Sequence, residues 1–332
     1  MENTNLDIWA KEIIKKTGFI PKKEIRRGYY YTTDKVRSII FSGLYKQKPA
    51  VLKIYDDPRL TDEPISLNSF YKRNKSKIIK VPKIYNYNRT SAKKGWLIME
   101  KIPEKAACFI RPIKSGYRKT IASLYLEYRK TFAVKPTRKL VLAENLSADQ
   151  FHIFRINRWF ELCNNKETER VFTGKKPILD HREFIPRFEE GTELIRKEFK
   201  NRKMIWCHGH FNPAELYHDP TSNVYYLLDF AHTHMYPEGY EFAFIIWSDW
   251  IMSANWKMNY LNWKKGVVDW LKEFEPIAKK LKIRKFNLLM KASLVERCLG
   301  AILADICASD RADAEKKGRI KLIYHLLDEL LK

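Results

Sequence analysis

The residues best suited to chemistry are gathered between Met204 and Phe230 and in the four positions that follow. Five of the chain's eight histidines, His208, His210, His218, His232 and His234, fall there together with Cys207, Glu215 and Asp229. Carboxylates at these positions could hold a hard divalent cation. An imidazole could take up a proton near neutral pH. The two pairs His208-x-His210 and His232-x-His234, with Asp229, Cys207 and His218, could instead hold a transition metal, as in a metal-dependent hydrolase.

These side chains need elements to place them. Trp206-Cys207-His208-Gly209-His210 reads as a short apolar run ending in a turn, and Asp219-Pro220 as a hairpin-like turn. Val224 to Leu228 reads as a strand that delivers Asp229 at its end. Near the N-terminus, Ile8, Trp9, Ile13 and Ile14 share a face of an amphipathic helix over Leu6 to Lys16. Three antiparallel strands are expected at Ile25 to Thr32, Val36 to Tyr45 and Ala50 to Tyr55, with Lys46 to Pro49 as the last turn. Asp62-Glu63-Pro64 marks the start of a helix running to about Ser76, and Val81 to Tyr85 and Gly95 to Ile102 read as two further strands. After Pro103 the pattern changes to long helices at Tyr117 to Phe132, Ser147 to Cys163 and His181 to Lys200, the second opened by a Ser147/Gln150 capping box. An aromatic helix from Pro237 through Trp250 follows, then helices at Trp263 to Leu281, Lys285 to Cys307 and Ala312 to Leu331. The expected fold class is therefore α+β in two lobes: an N-terminal antiparallel sheet with one helix over 1–103, and a mainly helical lobe over 104–332 bearing the hairpin 204–230. Pro103 to Pro112 is the boundary.

The strand, His-Gly turn, Asn-Pro, strand, turn, strand and Asp-Phe succession resembles the catalytic core of the aminoglycoside phosphotransferase and choline kinase family, which has a protein-kinase-like fold. His208, Gly209, Pro213, Asp229 and Phe230 match that wording. His210 stands where the family has its catalytic Asp, and Glu215 where it has a metal-binding Asn. The resemblance implies ATP or another nucleoside triphosphate and Mg²⁺ as cofactors, with Asp229 and Glu215 as metal ligands and His210 and Asp229 as the catalytic pair. It gives Lys53, a lysine inside an apolar strand that needs a partner if buried, the task of holding the nucleotide phosphates. Glu63, ahead of Asp62, is then the carboxylate pairing with it; both acids also suit a helix N-terminus for its dipole. Met99 would lie behind the adenine, with the backbone of Glu100 to Ile102 on the base edge. No Gly-x-Gly-x-x-Gly stands between the first two strands.

Bulk properties set outer limits. A chain of 332 residues with 45% hydrophobic content can bury two cores. Five scattered cysteines argue against a disulfide framework and a zinc finger, and so for a reducing, cytoplasmic setting. The polar start lacks the basic and apolar regions of a signal peptide, and no apolar run is long enough to span a bilayer. A net charge of +24 suits polyanionic partners such as nucleic acid or nucleotides, and is equally explained by solvated lysines. It opposes polycationic substrates.

Three functions stand on these residues. The chain could be a phosphotransferase acting on a small hydroxyl-bearing acceptor, or a nucleotide-binding pseudokinase derived from one. It could be a basic polyanion- or nucleic-acid-binding module on a kinase-like scaffold, in which charge alone carries the function. It could be a hydrolase built on the histidine cluster.

Overall fold

A computed structural model describes residues 5–30, 35–109, 116–131, 147–308 and 310–332. The expected strand end at Thr32, helix end at Phe132 and last residues of the Pro103 to Pro112 boundary lie outside them. The chain forms two compact units. One comprises Met1–Pro112, Ser123–Glu144 and Trp206–His234; the other comprises Ile113–Ala122, Asn145–Ile205 and Met235–Lys332. Lys53, Glu63, Met99 to Ile102 and the hairpin from Trp206 through Phe230 therefore belong to one unit.

That first unit begins with helix α1 (Asn5–Thr17), followed by strands β1 (Ile20–Tyr29), β2 (Val36–Tyr45) and β3 (Lys48–Asp56). Next come helix α2 (Glu63–Arg73), the two-residue strand β4 (Ile79–Lys80), and strands β5 (Ile84–Arg89) and β6 (Lys94–Glu100). Five of these strands make one antiparallel sheet in the order β1-β2-β3-β6-β5. β1 starts earlier than the apolar pattern suggests, because Pro21, Lys22 and Lys23 can sit exposed on an edge strand whose ladder is interrupted by register shifts. The expected strand at Val81 to Tyr85 is displaced as well. Pro82 has no N–H to give a ladder, and the chain splits around it: β4 pairs in parallel with a later strand, whereas β5 pairs with β6.

Alternation along β3 decides which side chains meet. Leu52 and Ile54 are buried in one cluster with Leu6, Ala10 and Ile13 of α1 and with Ile39, Trp96 and Ile98. Lys53 and Tyr55 point the other way. Tyr55 packs with Leu60 and Ala231, and Lys53 is buried opposite Ile40 and Leu97 in the ladder. A buried cation is thus forced by the strand's own period onto the face that also carries the 230–232 turn.

A second, smaller sheet holds the hairpin. Strands β7 (Ala107–Cys108), β8 (Met204–Cys207), β9 (Leu216–Asp219) and β10 (Val224–Leu227) follow in the chain, and the sheet order is β4-β10-β9-β7. β9 and β10 pair from Leu216 opposite Leu227 to Asp219 opposite Val224. The Asp219 carboxylate closes their turn by accepting from the Thr221 N–H at 2.9 Å. Between β8 and β9, Gly209 adopts φ 77°, a left-handed conformation that a side chain would oppose.

The second unit is helical. α3 (Tyr117–Thr131) begins in it and is followed by α4 (Ala148–Phe172), α5 (His181–Phe199), strand β11 (His234–Pro237), α6 (Tyr240–Ile246), α7 (Tyr260–Lys280), α8 (Phe286–Cys307) and α9 (Asp313–Leu331). α4 continues nine residues past the expected end at Cys163, held by the Ser147/Gln150 capping box at its start. The aromatic helix does not begin at Pro237, which ends β11. Gly239, at φ 96°, breaks the chain before Tyr240, and a π-helical turn carries the chain from Trp247 to Ile251. α8 is buried around most of its girth, packed by α4, α5, α6 and α9. Its Glu296 is fully buried and bonded by Arg155 and Arg297, both at 2.5 Å, and by the Tyr240 hydroxyl at 2.6 Å. Among the described residues no helix is long and apolar enough to cross a membrane, and all five cysteines are free thiols.

The two faces of β3 can be told apart by truncation. Leu52→Ala should cost about 2–5 kcal/mol in urea unfolding, and Val51→Ala, at a half-buried position, clearly less. Equal losses would contradict the face assignment.

Candidate functional site

Lys53 sets the geometry. Its ammonium lies 2.5 Å from Glu63 Oε2, at the start of α2, and 3.9 Å from Asp229 Oδ1. Asp62, the other candidate, pairs instead with Arg89 at 3.6 Å. Burial works to lower the Lys53 pKa, but the charges of Glu63 and Asp229 outweigh it and keep the ammonium protonated.

Asp229 is aimed by its neighbour Leu228, whose backbone is held on both sides. The Leu228 N–H donates to the Glu215 carbonyl at 3.0 Å. Its carbonyl accepts from His208 Nε2 at 2.8 Å. This fixes the His208 tautomer, leaving Nδ1 to accept from the His210 N–H at 3.2 Å. The His208 backbone in turn donates to the Tyr128 hydroxyl at 2.6 Å. Burial drives the His208 pKa down to about 3, so its ring is neutral and acts as a bolt between the two ends of the hairpin. Asp229 itself sits at φ 56° and ψ 63°, a conformation costing a non-glycine residue about 1–2 kcal/mol.

The loop between His210 and Glu215 is fixed from inside. Asn212 donates from Nδ2 to the His210 carbonyl at 2.7 Å and accepts at Oδ1 from the Ala214 N–H, also at 2.7 Å. The Glu215 N–H donates to the Asn212 carbonyl at 3.1 Å. Asn212 was not among the residues expected to matter; its signal was the Asn-Pro pair, which favours turn initiation.

His210 and Glu215 therefore flank Asp229. His210 Nδ1 lies 3.4 Å from Asp229 Oδ2, and its ring stacks on His232 with centroids 3.8 Å apart and planes at 19°. Burial raises the Asp229 pKa, but the hydrogen bond from His210 and the charges of Lys53, His210 and His232 reverse this and hold it well below the usual carboxylate range. Glu215 goes the other way. Burial first, and then the charge of Asp229, push it up to about 7, against the opposing effects of His210, Lys53 and Arg26. Glu63, Glu215 and Asp229 all act on the ammonium of Lys53, and burial raises Glu63 as it does Glu215. Two carboxylates with too little cation between them suit a divalent ion with oxygen ligands.

Of the seven residues of the histidine-cluster reading, the described residues bring His210, Asp229 and His232 together. His208 spends both ring nitrogens as described, His218 bonds Asn223 at 3.0 Å, and His234 packs beside Trp206. On β6, Met99 is half-buried, opposite Val51 and Ile84. The Glu100 N–H donates to the Lys83 carbonyl at 2.8 Å, its carboxylate accepts from the Lys83 N–H at 3.1 Å, and the Lys101 N–H donates to the Pro49 carbonyl at 3.3 Å. Ile102 follows the end of β6, in a segment of no regular structure.

No family model matches the chain, and no curated protein does. Solved structures do. A thermostable mutant of aminoglycoside phosphotransferase APH(4)-Ia, in a ternary complex with ADP and hygromycin B, is 12% identical with a TM-score of 0.53 over 95% of this chain and 97% of its own. Plasmodium vivax ethanolamine kinase is 15% identical, with a TM-score of 0.59 over 97% of this chain and 90% of its own. The amicoumacin kinase hAmiN, in complex with AMP-PNP, Ca²⁺ and Ami, is 8% identical with a TM-score of 0.62 over 98% and 96%. At such identities the likeness shows the fold: the chain has the two-lobe, kinase-like α+β architecture of these phosphotransferases.

The elevated Glu215 pKa has a sign that can be checked. Its stabilising contribution is fully present below the ordinary value of 4.5 and is lost as pH rises through about 7. In metal-free buffer, wild-type protein should lose thermal stability across that window more steeply than Glu215→Gln. Identical pH profiles for the two proteins would show that Glu215 does not titrate in this way.

Proposed function

We propose that the Lys53, Glu63, Glu215 and Asp229 cluster is a nucleoside triphosphate site, and that the protein transfers the terminal phosphoryl group of ATP, or a related nucleotide, to a small hydroxyl-bearing acceptor. The observation that carries this reading is the Lys53 ammonium set between Glu63 and Asp229 on a kinase-like fold. Glu63 holds the ammonium in place for nucleotide phosphate oxygens, and Asp229 and Glu215 offer carboxylate oxygens to Mg²⁺. When bound, that ion would neutralise charge on the phosphates and orient them. The base edge is assigned to Ile102, since the Glu100 and Lys101 N–H groups already have protein acceptors; Met99 lies behind it. The acceptor site would be supplied by the helices after Pro103.

His210 takes the place of the carboxylate that would orient the acceptor hydroxyl, and its imidazole accepts the hydroxyl proton. Its engagement with Asp229 favours a second reading as well, a nucleotide-binding pseudokinase in which no acceptor is deprotonated. Binding of nucleic acid or another polyanion rests on the net charge alone.

Two measurements test the proposal. ATP with Mg²⁺, at about a hundred times its dissociation constant, should add about 2.7 kcal/mol of stability, and Asp229→Ala should abolish the shift; no shift at millimolar ATP would contradict nucleotide binding. If His210 is the base, His210→Ala should lower the rate roughly a hundredfold. An unchanged rate in that variant, with the fold intact, would remove the base role.

A further inference from the structure

His232 has no part in the nucleotide proposal, yet it lies against two residues that do. We propose that His210, Asp229 and His232 form a binding site for a d-block divalent cation such as Zn²⁺ or Co²⁺, occupied when no nucleotide is present.

Donor chemistry comes first. Two imidazoles and one carboxylate are a poor set for Mg²⁺, which prefers oxygen, and a good one for the later first-row metals. Geometry agrees with the chemistry. Tetrahedral ligands with bonds of 2.0–2.1 Å lie about 3.3 Å from one another. His210 Nδ1 and Asp229 Oδ2 already stand 3.4 Å apart, and one ligand atom from each of the three residues falls within 4.8 Å of the others. All three side chains are half-buried, so water can supply a fourth ligand.

The surroundings hold the trio in shape. His210 and Asp229 lie at the two ends of the hairpin, which His208 fastens through the Leu228 carbonyl and the His210 N–H. His232 follows three residues after Asp229 in the short 3₁₀ turn Phe230–His232, and its ring is stacked on that of His210. The hairpin holds His210 and Asp229 in place, so closing on an ion requires only that the His232 ring turn out of the stack until its lone pair converges with that of His210.

The inference rests on the nucleotide reading only for its consequence. Asp229 cannot serve Mg²⁺–nucleotide while it is bound to Zn²⁺, so Zn²⁺ should diminish stabilisation by Mg²⁺–ATP. The decisive titration contains no nucleotide. Co²⁺ added to the metal-stripped protein should give visible absorption bands of a four- or five-coordinate nitrogen and oxygen site, saturating at one equivalent, and Zn²⁺ should bleach them. His232→Ala and, separately, His232→Asn should weaken Co²⁺ binding at least tenfold while keeping the wild-type circular dichroism. His218→Ala, outside the cluster, should bind like the wild type. Absent bands, uptake that does not saturate at one equivalent, or unchanged affinity in both His232 variants would overturn the proposal. Saturable Co²⁺ binding by a protein that shows no Mg²⁺–ATP shift would keep this site and remove the nucleotide reading instead.

Discussion

A lysine ammonium buried on the inner face of a five-stranded sheet is the constraint from which the rest of the site follows. Strand alternation places Lys53 opposite the α1 face, where water cannot solvate it, so carboxylates must. Glu63 meets it from the start of α2 and Asp229 from the end of the hairpin. At 3.9 Å the second contact is worth about 4 kcal/mol of attraction before desolvation, taking a dielectric constant of about 20. Burial costs both partners a comparable amount. The pair is therefore better understood as fixing positions than as a source of stability.

Holding Asp229 there requires the hairpin to be locked. Leu228 is bonded through its N–H to Glu215 and through its carbonyl to His208, which is neutral because it is buried. One backbone unit thus precedes the Asp229 carboxylate and brings Glu215 beside it. The consequence is electrostatic crowding. Asp229 stays ionised with the help of His210 and Lys53, and Glu215 is raised to about 7 by burial first and then by the charge of Asp229.

Much of this was legible in the sequence because the signals were local. The period of β3, the acid-acid-Pro start of α2 and the apolar run before Asp229 each specify an element and a direction at once. What the sequence could not give was set by contacts between distant segments. The preference of Lys53 for Glu63 over Asp62 depends on how α2 docks, and Asp62 finds Arg89 instead. The break at Pro82 reflects β4 joining a strand about 145 residues later in the chain, an event without local trace. Likewise, five clustered histidines suggested a larger cluster than the three side chains brought together, since His208 and His218 are consumed by hydrogen bonds that spacing does not reveal. His232 was legible as half of the His232-x-His234 pair, but its place beside His210 and Asp229 rather than beside His234 is set by the fold.

The most direct measurement is a crystal structure of the protein with a non-hydrolysable ATP analogue and Mn²⁺, whose anomalous scattering locates the ion. The present account expects phosphate oxygens within hydrogen-bond distance of Lys53 Nζ, and the ion bound by Asp229 and Glu215. Nucleotide bound elsewhere, or at this place with Lys53 still turned wholly to Glu63 and no ion at Asp229, would contradict it.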